Sequence, residues 1–426
     1  MSKIPALIAL VALTIPLAHA ADWLSYGGDP QRTGWQKREK SLNAGNVHEL
    51  KLLWERQLAT GSKAVNSLTS PVLLGPIITH RGIKELVFVA GSSDNVYAVD
   101  ADLGRLFWER HIDSAAEPDR KSKLPCGAGL TATPVIGPPQ AATVNDDDGE
   151  GSTPLRPLYV LSSDGRLHTI RPSDGKDMAE SVKFIPPNAN AANLNLADES
   201  IYTVTSHNCG GAPDGIWAMP VNRPDAKAAF TPSRSTGDPA SGGVSVGSDG
   251  AVYSASAGSM LTPIPFTWKG RKLIASAGKR GRVVLLNAAD SKSVSNTSPL
   301  ANDDARGLAT WEDASGTRWI YAALRDSIAA FQVTGVEPTL MRVWAKNGLF
   351  ATAPPVVANG VVFALASGGS THATLYALDA NTGRRLYSSG DAVTSETHSG
   401  LAIANGHVCF TTVDNTLYCF GIPIEI

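Results

Sequence analysis

Apolar and polar positions alternate along this chain in a recurring order. An aliphatic strand is followed by a Gly/Asp/Asn turn, and the turn by a second strand of period two. "LVFVAGSSDNVYAVDADLGRLFWER" begins this pattern at Leu86. It returns at Leu158, Ile201, Leu273, Trp319, Val361 and His407. The matching points of the alternating strand are Tyr97, His168, Trp217, Val284, Ala329, Tyr376 and Tyr418. Once loop insertions are set aside, the unit is ~40–50 residues, the size of one four-stranded propeller blade. A leading strand of small apolar residues opens the units, as in "LTATPVIG" from Leu130, "TAPPVVANG" from Thr352 and "HSGLAIANG" from His398. Small residues suit the crowded innermost strand beside a central channel.

Two heptapeptides locate the ends of the repeat. "LFWERHI" at Leu106–Ile112 closes a full unit, whereas "LLWERQL" at Leu52–Leu58 follows only the polar "SLNAGNVHELK". The last unit, from His398, stops at Ile426 without an outer strand. The two halves are expected to complete one blade, so that the N-terminal outer strand closes the ring and removes its edges. Trp54 is expected to lie on its own blade's face as Trp108 does. The fold is therefore an all-β propeller of seven complete four-stranded blades, with an eighth left open as a truncated one.

Composition narrows the class. The chain has 426 residues, 40 Gly, 27 Pro and a formal charge of -2. Glycine and proline at this level suit short strands and turns, and the near-neutral balance offers no field for nucleic acid. Residues 1–20 carry Lys3, an apolar run and "AHA", the pattern of a cleaved secretory signal too short to span a membrane. Residues 21–426 are then one soluble domain, periplasmic or secreted. Four cysteines in an exported chain are expected to be bridged. They allow three pairings. Cys126 and Cys209 lie in Gly-rich loops of neighbouring units, and Cys409 and Cys419 face each other if Val413–Asn415 forms a three-residue hairpin loop. The expectation is Cys126–Cys209 and Cys409–Cys419.

The repeated "YAVDADLGRLFW" and "YALDANTGRRLY" resemble the PQQ-type, or quinoprotein, repeat. The segment "DWLSYGGDPQRTGWQ…LNAGNVHELKLLWERQL" and Leu261–Asp290 are similar to quinoprotein alcohol dehydrogenases. The resemblance implies a quinoprotein-like β-propeller, with PQQ and calcium as cofactors. It matches Lys279, in "AGKRG", to the family lysine that contacts the quinone oxygens; read by itself, Lys279 is a hairpin-turn lysine. Gly258 stands where the family has its calcium-binding Asn, the family's D-x-W-D carboxylates are missing, and no Cys-Cys pair exists.

Other chemistry is sparse. Asp146, Asp148 and Glu150 in "DDDGEG" alternate as a calcium loop requires, although Pro157 replaces the twelfth-position acid of an EF-hand. The alternative is a solvated acidic loop. His111, His207, His372 and His398 fall in loops or strand starts, and no two histidines have metal-ligand spacing. The expected function is an exported binding or scaffold protein with a small-molecule or protein partner at the rim or channel mouth. A PQQ-dependent alcohol or sugar dehydrogenase and an outer-membrane assembly factor are the alternatives. Asp303 and Asp304 are the candidates to replace the missing carboxylates.

Overall fold

A computed structural model describes residues 21–58, 68–91, 94–114, 126, 132–140, 155–223, 225–232, 243–254, 261–300, 305–350, 353–366 and 372–423. Its regular structure is strand throughout, apart from three single-turn 3-10 segments. Eight sheets form among the described residues. Seven have at least four strands and follow one another along the chain as blades. The first runs Val72–Thr79, Gly82–Ala90, Asn95–Asp100 and Leu106–His111. The second spans residues 135–183, the third 190–232, the fourth 264–296, the fifth 307–347 and the sixth 356–388. Between the third and fourth sits a sheet with two strands among the described residues, Ser245–Val246 and Val252–Tyr253. This is the truncated eighth unit.

The seventh blade takes its outer strand from the other end of the chain. Lys51–Gln57 pairs antiparallel with Thr416–Gly421, outside His407–Thr411 and Ala402–Ala404. Cys409 and Cys419 are direct partners in this sheet and form a disulfide, and Trp54 opposes Cys419 one strand further out. The loop between Thr412 and Thr416 holds the three residues the sequence implied, with Asn415 at φ 67°. The ring's largest core cluster spans this closing blade, its two neighbours and the chain leading into it, including Leu42, Val47 and Leu50.

The seven alternating-strand residues each fall on the third strand of a blade, opposite a residue of the second, as in Tyr97 with Val89 and Tyr418 with Phe410. The strands of Tyr97, Tyr376 and Tyr418 are buried on both faces, because their blades are sandwiched between two others, whereas those of Trp217 and Val284, beside the two-stranded sheet, are only half-buried.

The structure corrects the expected position of the outer-strand tryptophans. Trp54, Trp108 and Trp344 pack on the turn of the next blade. Their indole N–H groups donate to the carbonyls of Ala101 (2.7 Å), Pro172 (2.8 Å) and Ala380 (3.0 Å). Each ring lies where a side chain at Gly104, Gly175 or Gly383 would be, since a Cβ there would come within 2.6, 2.9 and 2.6 Å of it. These glycines have φ of 65°, 76° and 69°, which a Cβ also disfavours. The Asp of the motif caps its own turn: Asp100 Oδ1 accepts from the N–H of Asp102 and Leu103, and Asp379 Oδ1 from those of Asn381 and Thr382. Asp, Gly and Trp are thus one device, in which a capped turn presents a flat seat to the preceding blade's indole.

Candidate functional site

Innermost strands leave a free edge of N–H and C=O groups facing the axis, and buried edges need partners. The segment from Ala21 to Arg38 supplies them. Trp23 exchanges both backbone bonds with Leu73 of the first blade (3.0 and 2.9 Å). Leu24 accepts from Ile136 of the second, Pro30 from Val246 of the two-stranded sheet, and Thr33 from Thr310 of the fifth. Trp35–Gln36 then adds to the sixth blade as a parallel strand against Val357 and Ala358. The Gln36 amide donates to Ile403 O of the seventh blade (2.8 Å). The segment therefore fills the inside of the ring.

Arg32 anchors it. At φ 60° and 4% exposure, its guanidinium donates to the carbonyls of Val244 (3.2 Å), Asn193 (3.2 Å), Leu194 (2.8 Å) and Tyr26. Burial pulls its pKa down to about 10 and pushes the Tyr26 phenol up to about 12. What remains of the channel beside Arg32 is a cavity of about 40 Å³, reached past Thr262, Arg306, Pro354 and Gly400.

Antiparallel strands place the ring's connections at two ends. Turns between second and third strands share one end with the links between blades, and the remaining turns lie at the other. Most of the described sequence candidates fall at the first end. Cys126, in the link between first and second blades, is bonded to Cys209 in the third blade's turn. Lys279 is exposed in the fourth blade's turn, Lys279–Gly281. The histidines are not gathered: His111 meets Asn95 (2.7 Å), His207 meets Ser206 (3.2 Å), His372 meets Asp391 (3.1 Å), and His398 is exposed. Asp303, Asp304 and Gly258 lie outside the described residues, as do Asp146, Asp148 and Glu150.

The cofactors implied by the resemblance were tested against this end. Calcium takes six to eight oxygen ligands. The described turns at this end carry exposed cations, Lys279, Arg280, Arg282 and Arg306, and their carboxylates, Asp94, Asp164, Asp326 and Asp414, stand on separate blades. Nowhere among the described residues do three His, Cys, Asp or Glu side chains come together as a metal site. Among the described residues no donor set for the ion is assembled.

The opposite end holds a cavity of about 640 Å³, walled by the N-terminal segment and by the second and third blades. Tyr159, Trp35, Val135 and Pro138 give it an apolar lining; Gln140, Arg38, Asp198 and Glu199 give it polar groups. At its wall Arg156 Nη1 meets Asp22 Oδ2 at 2.5 Å, and Asp22 also accepts from Gly75 N–H (3.2 Å). Burial raises the Asp22 carboxyl pKa, and these two bonds work against the rise. The loop with the Asp146–Glu150 acids departs from this rim, between Gln140 and Leu155, which bridge to each other. Reading the sequence missed Asp22, Arg32, Gln36 and Arg156; the sole trace of the first three was their place in the family-like N-terminal segment.

No family model and no curated relative matches the sequence. Solved structures do resemble it in fold. The quinohemoprotein alcohol dehydrogenase ADHIIG of Pseudomonas putida HK5 superimposes with a TM-score of 0.61 at 12% identity, over 95% of this chain and 81% of that one. The quinohemoprotein alcohol dehydrogenase of Comamonas testosteroni gives 0.57 at 13% identity, with the same coverage. A europium-containing methanol dehydrogenase gives 0.58 at 11%, over 94% and 98%. The architecture is a quinoprotein-type propeller. Among the described residues no helix is long and apolar enough to cross a membrane.

Proposed function

We propose that the chain is an exported propeller that binds a small molecule or a protein segment in the 640 Å³ cavity, with residues 21–426 acting as one domain. The observation that carries this reading is the double use of the N-terminal segment. It occupies the inner edges of the ring, and its outer side forms a wall of a preformed, mixed-polarity cavity. Such cavities are the usual seats of ligands. Export rests on the signal-like residues 1–20 and agrees with two disulfides.

The second reading is a PQQ-dependent dehydrogenase acting on an alcohol or sugar. The likeness in fold to three such enzymes favours it, as does the place of Lys279 at the loop-rich end.

Titration of the purified protein with PQQ, with and without calcium, followed by a dye-linked alcohol oxidation assay, separates the two. The binding reading expects no calcium-dependent heat and no turnover; tight binding with turnover overturns it. A thermal-shift screen of small molecules against the wild type and Ala197→Trp, which narrows the cavity from its half-buried rim, tests the site itself. A stabilising ligand that loses its effect in the variant supports the cavity.

A further inference from the structure

Three blade turns receive a tryptophan from the blade before. The fourth blade has the same turn, Asn287–Ser291, with Asn287 Oδ1 accepting from Ala289 N–H (2.8 Å). Ser291 stands at the glycine position, at φ 55°, and Ala288 at the position whose carbonyl takes the indole N–H elsewhere. The sheet before it has two strands among the described residues and sends no outer strand across. No residue among those described donates to Ala288 O. The chain's nine tryptophans are all described and none fills the place.

A cavity of about 220 Å³ lies there instead, bounded by Ala288, Tyr253, Lys272, Phe266, Trp35 and Arg318. Arg318 is 8% exposed, and its guanidinium lies 5.8 Å from the Trp35 ring and 5.4 Å from the Phe266 ring. Its Nη2 donates to Glu312 Oε2 (2.6 Å) and reaches Thr267 O (3.4 Å). Its Nε–H is buried and has no hydrogen-bond partner. An unmet donor on a buried cation is expensive to leave unmade. The other cations at the cavity are already held: Lys272 by Asp249 (2.8 Å) and Lys37 by Asp29 (3.3 Å).

We infer that this cavity is a second ligand site, for a small planar ring carrying a carboxylate. The ring takes the vacant tryptophan seat between the aromatic walls, and its carboxylate pairs with the Arg318 guanidinium. A hydroxyl or N–H on the ring donates to Ala288 O, as an indole does in the other blades. Guanidinium donors are shaped for carboxylates. An enclosed cavity of ~150 Å³ holds benzene, so the space here accepts a single ring with its carboxylate. The site is separate from the 640 Å³ cavity, although Trp35 and Lys37 border both.

Calorimetry and ligand-observed NMR with benzoate and 4-hydroxybenzoate, against neutral benzamide and 4-hydroxybenzyl alcohol, test this on the whole mature protein. The carboxylates are expected to bind at least tenfold more tightly than their neutral counterparts, and 4-hydroxybenzoate more tightly than benzoate. Arg318→Gln should erase the charge preference. Tyr253→Trp, at a half-buried position, should weaken every ring tenfold or more without lowering Tm, so the test survives if the Arg318 variant fails to fold. Equal binding of charged and neutral rings, a preference that persists in Arg318→Gln, or no binding to the wild type would each overturn the inference. None of these outcomes depends on PQQ or on the larger cavity.

Discussion

His407 shows how one side chain ties pH to ring closure. It is 8% exposed at the junction of the seventh and first blades, with Nδ1 3.6 Å from Glu85 and Nε2 3.5 Å from Asp102. Burial acts to lower its pKa, but Glu85, Asp102 and Glu39 together raise it above 6.5. A raised histidine pKa means a stability contribution that is whole below 6.5 and is lost as pH rises through the folded value. Melting temperature should therefore fall between pH 6 and pH 8 in the wild type, and the fall should be shallower in His407→Gln. Parallel slopes would remove His407 from this role. Arg32 is the other decisive residue. Arg32→Met strands several buried carbonyls and should destabilise by about 2–4 kcal/mol in urea titration. Neither residue stood out in the sequence, because a buried cation is identified by its partners, and three of those of Arg32 lie 161, 162 and 212 positions away.

At the scale of elements, the tryptophan seat explains the repeat motif. Gly104, Gly383 and Ser291 all have positive φ, but only the first two face an indole. Gly383→Ala should destabilise by about 2 kcal/mol or more, from αL strain plus the clash with Trp344. Ser291→Ala should change stability by less than about 0.5 kcal/mol, since it keeps the strain already present and meets no ring. Equal effects in chemical denaturation would sink this account of the glycine. The motif's residues were legible; their inter-blade role was not. A motif read along one chain suggests a contact within its own unit, whereas the outer strand of a twisted blade reaches over the next.

For the molecule as a whole, closure and cross-linking decide stability. Deleting residues 49–58 exposes the edge at Thr416–Gly421 and opens the largest core cluster, so we expect an aggregating, non-cooperatively melting product by circular dichroism and gel filtration. A cooperative transition in that variant would show that the ring does not need its closing strand. The two disulfides should differ in weight. Cys126–Cys209 spans 83 positions and Cys409–Cys419 only 10, which in the chain-entropy model is worth about 4–5 against about 2–3 kcal/mol. Paired Cys→Ser variants in guanidinium denaturation should reproduce that order.

The sequence by itself determined what depends on neighbours a few residues apart. Period-two runs gave the strands, Asp/Gly/Asn turns gave the hairpins, and the spacing of Tyr97 to Tyr418 gave the number of full blades. It also identified the lone "LLWERQL" strand as the missing piece of the last unit. Tertiary structure decided everything built from separated segments: the passage of Ala21–Arg38 along six inner strands, the seats of the indoles, the unfilled seat beside Ala288, and both cavities. Strand periodicity is a local preference repeated at each residue. Those other features come from backbone edges and side chains that meet only when the ring closes, and a segment such as "SYGGDPQRTGWQ" has no period of its own to announce where it will lie.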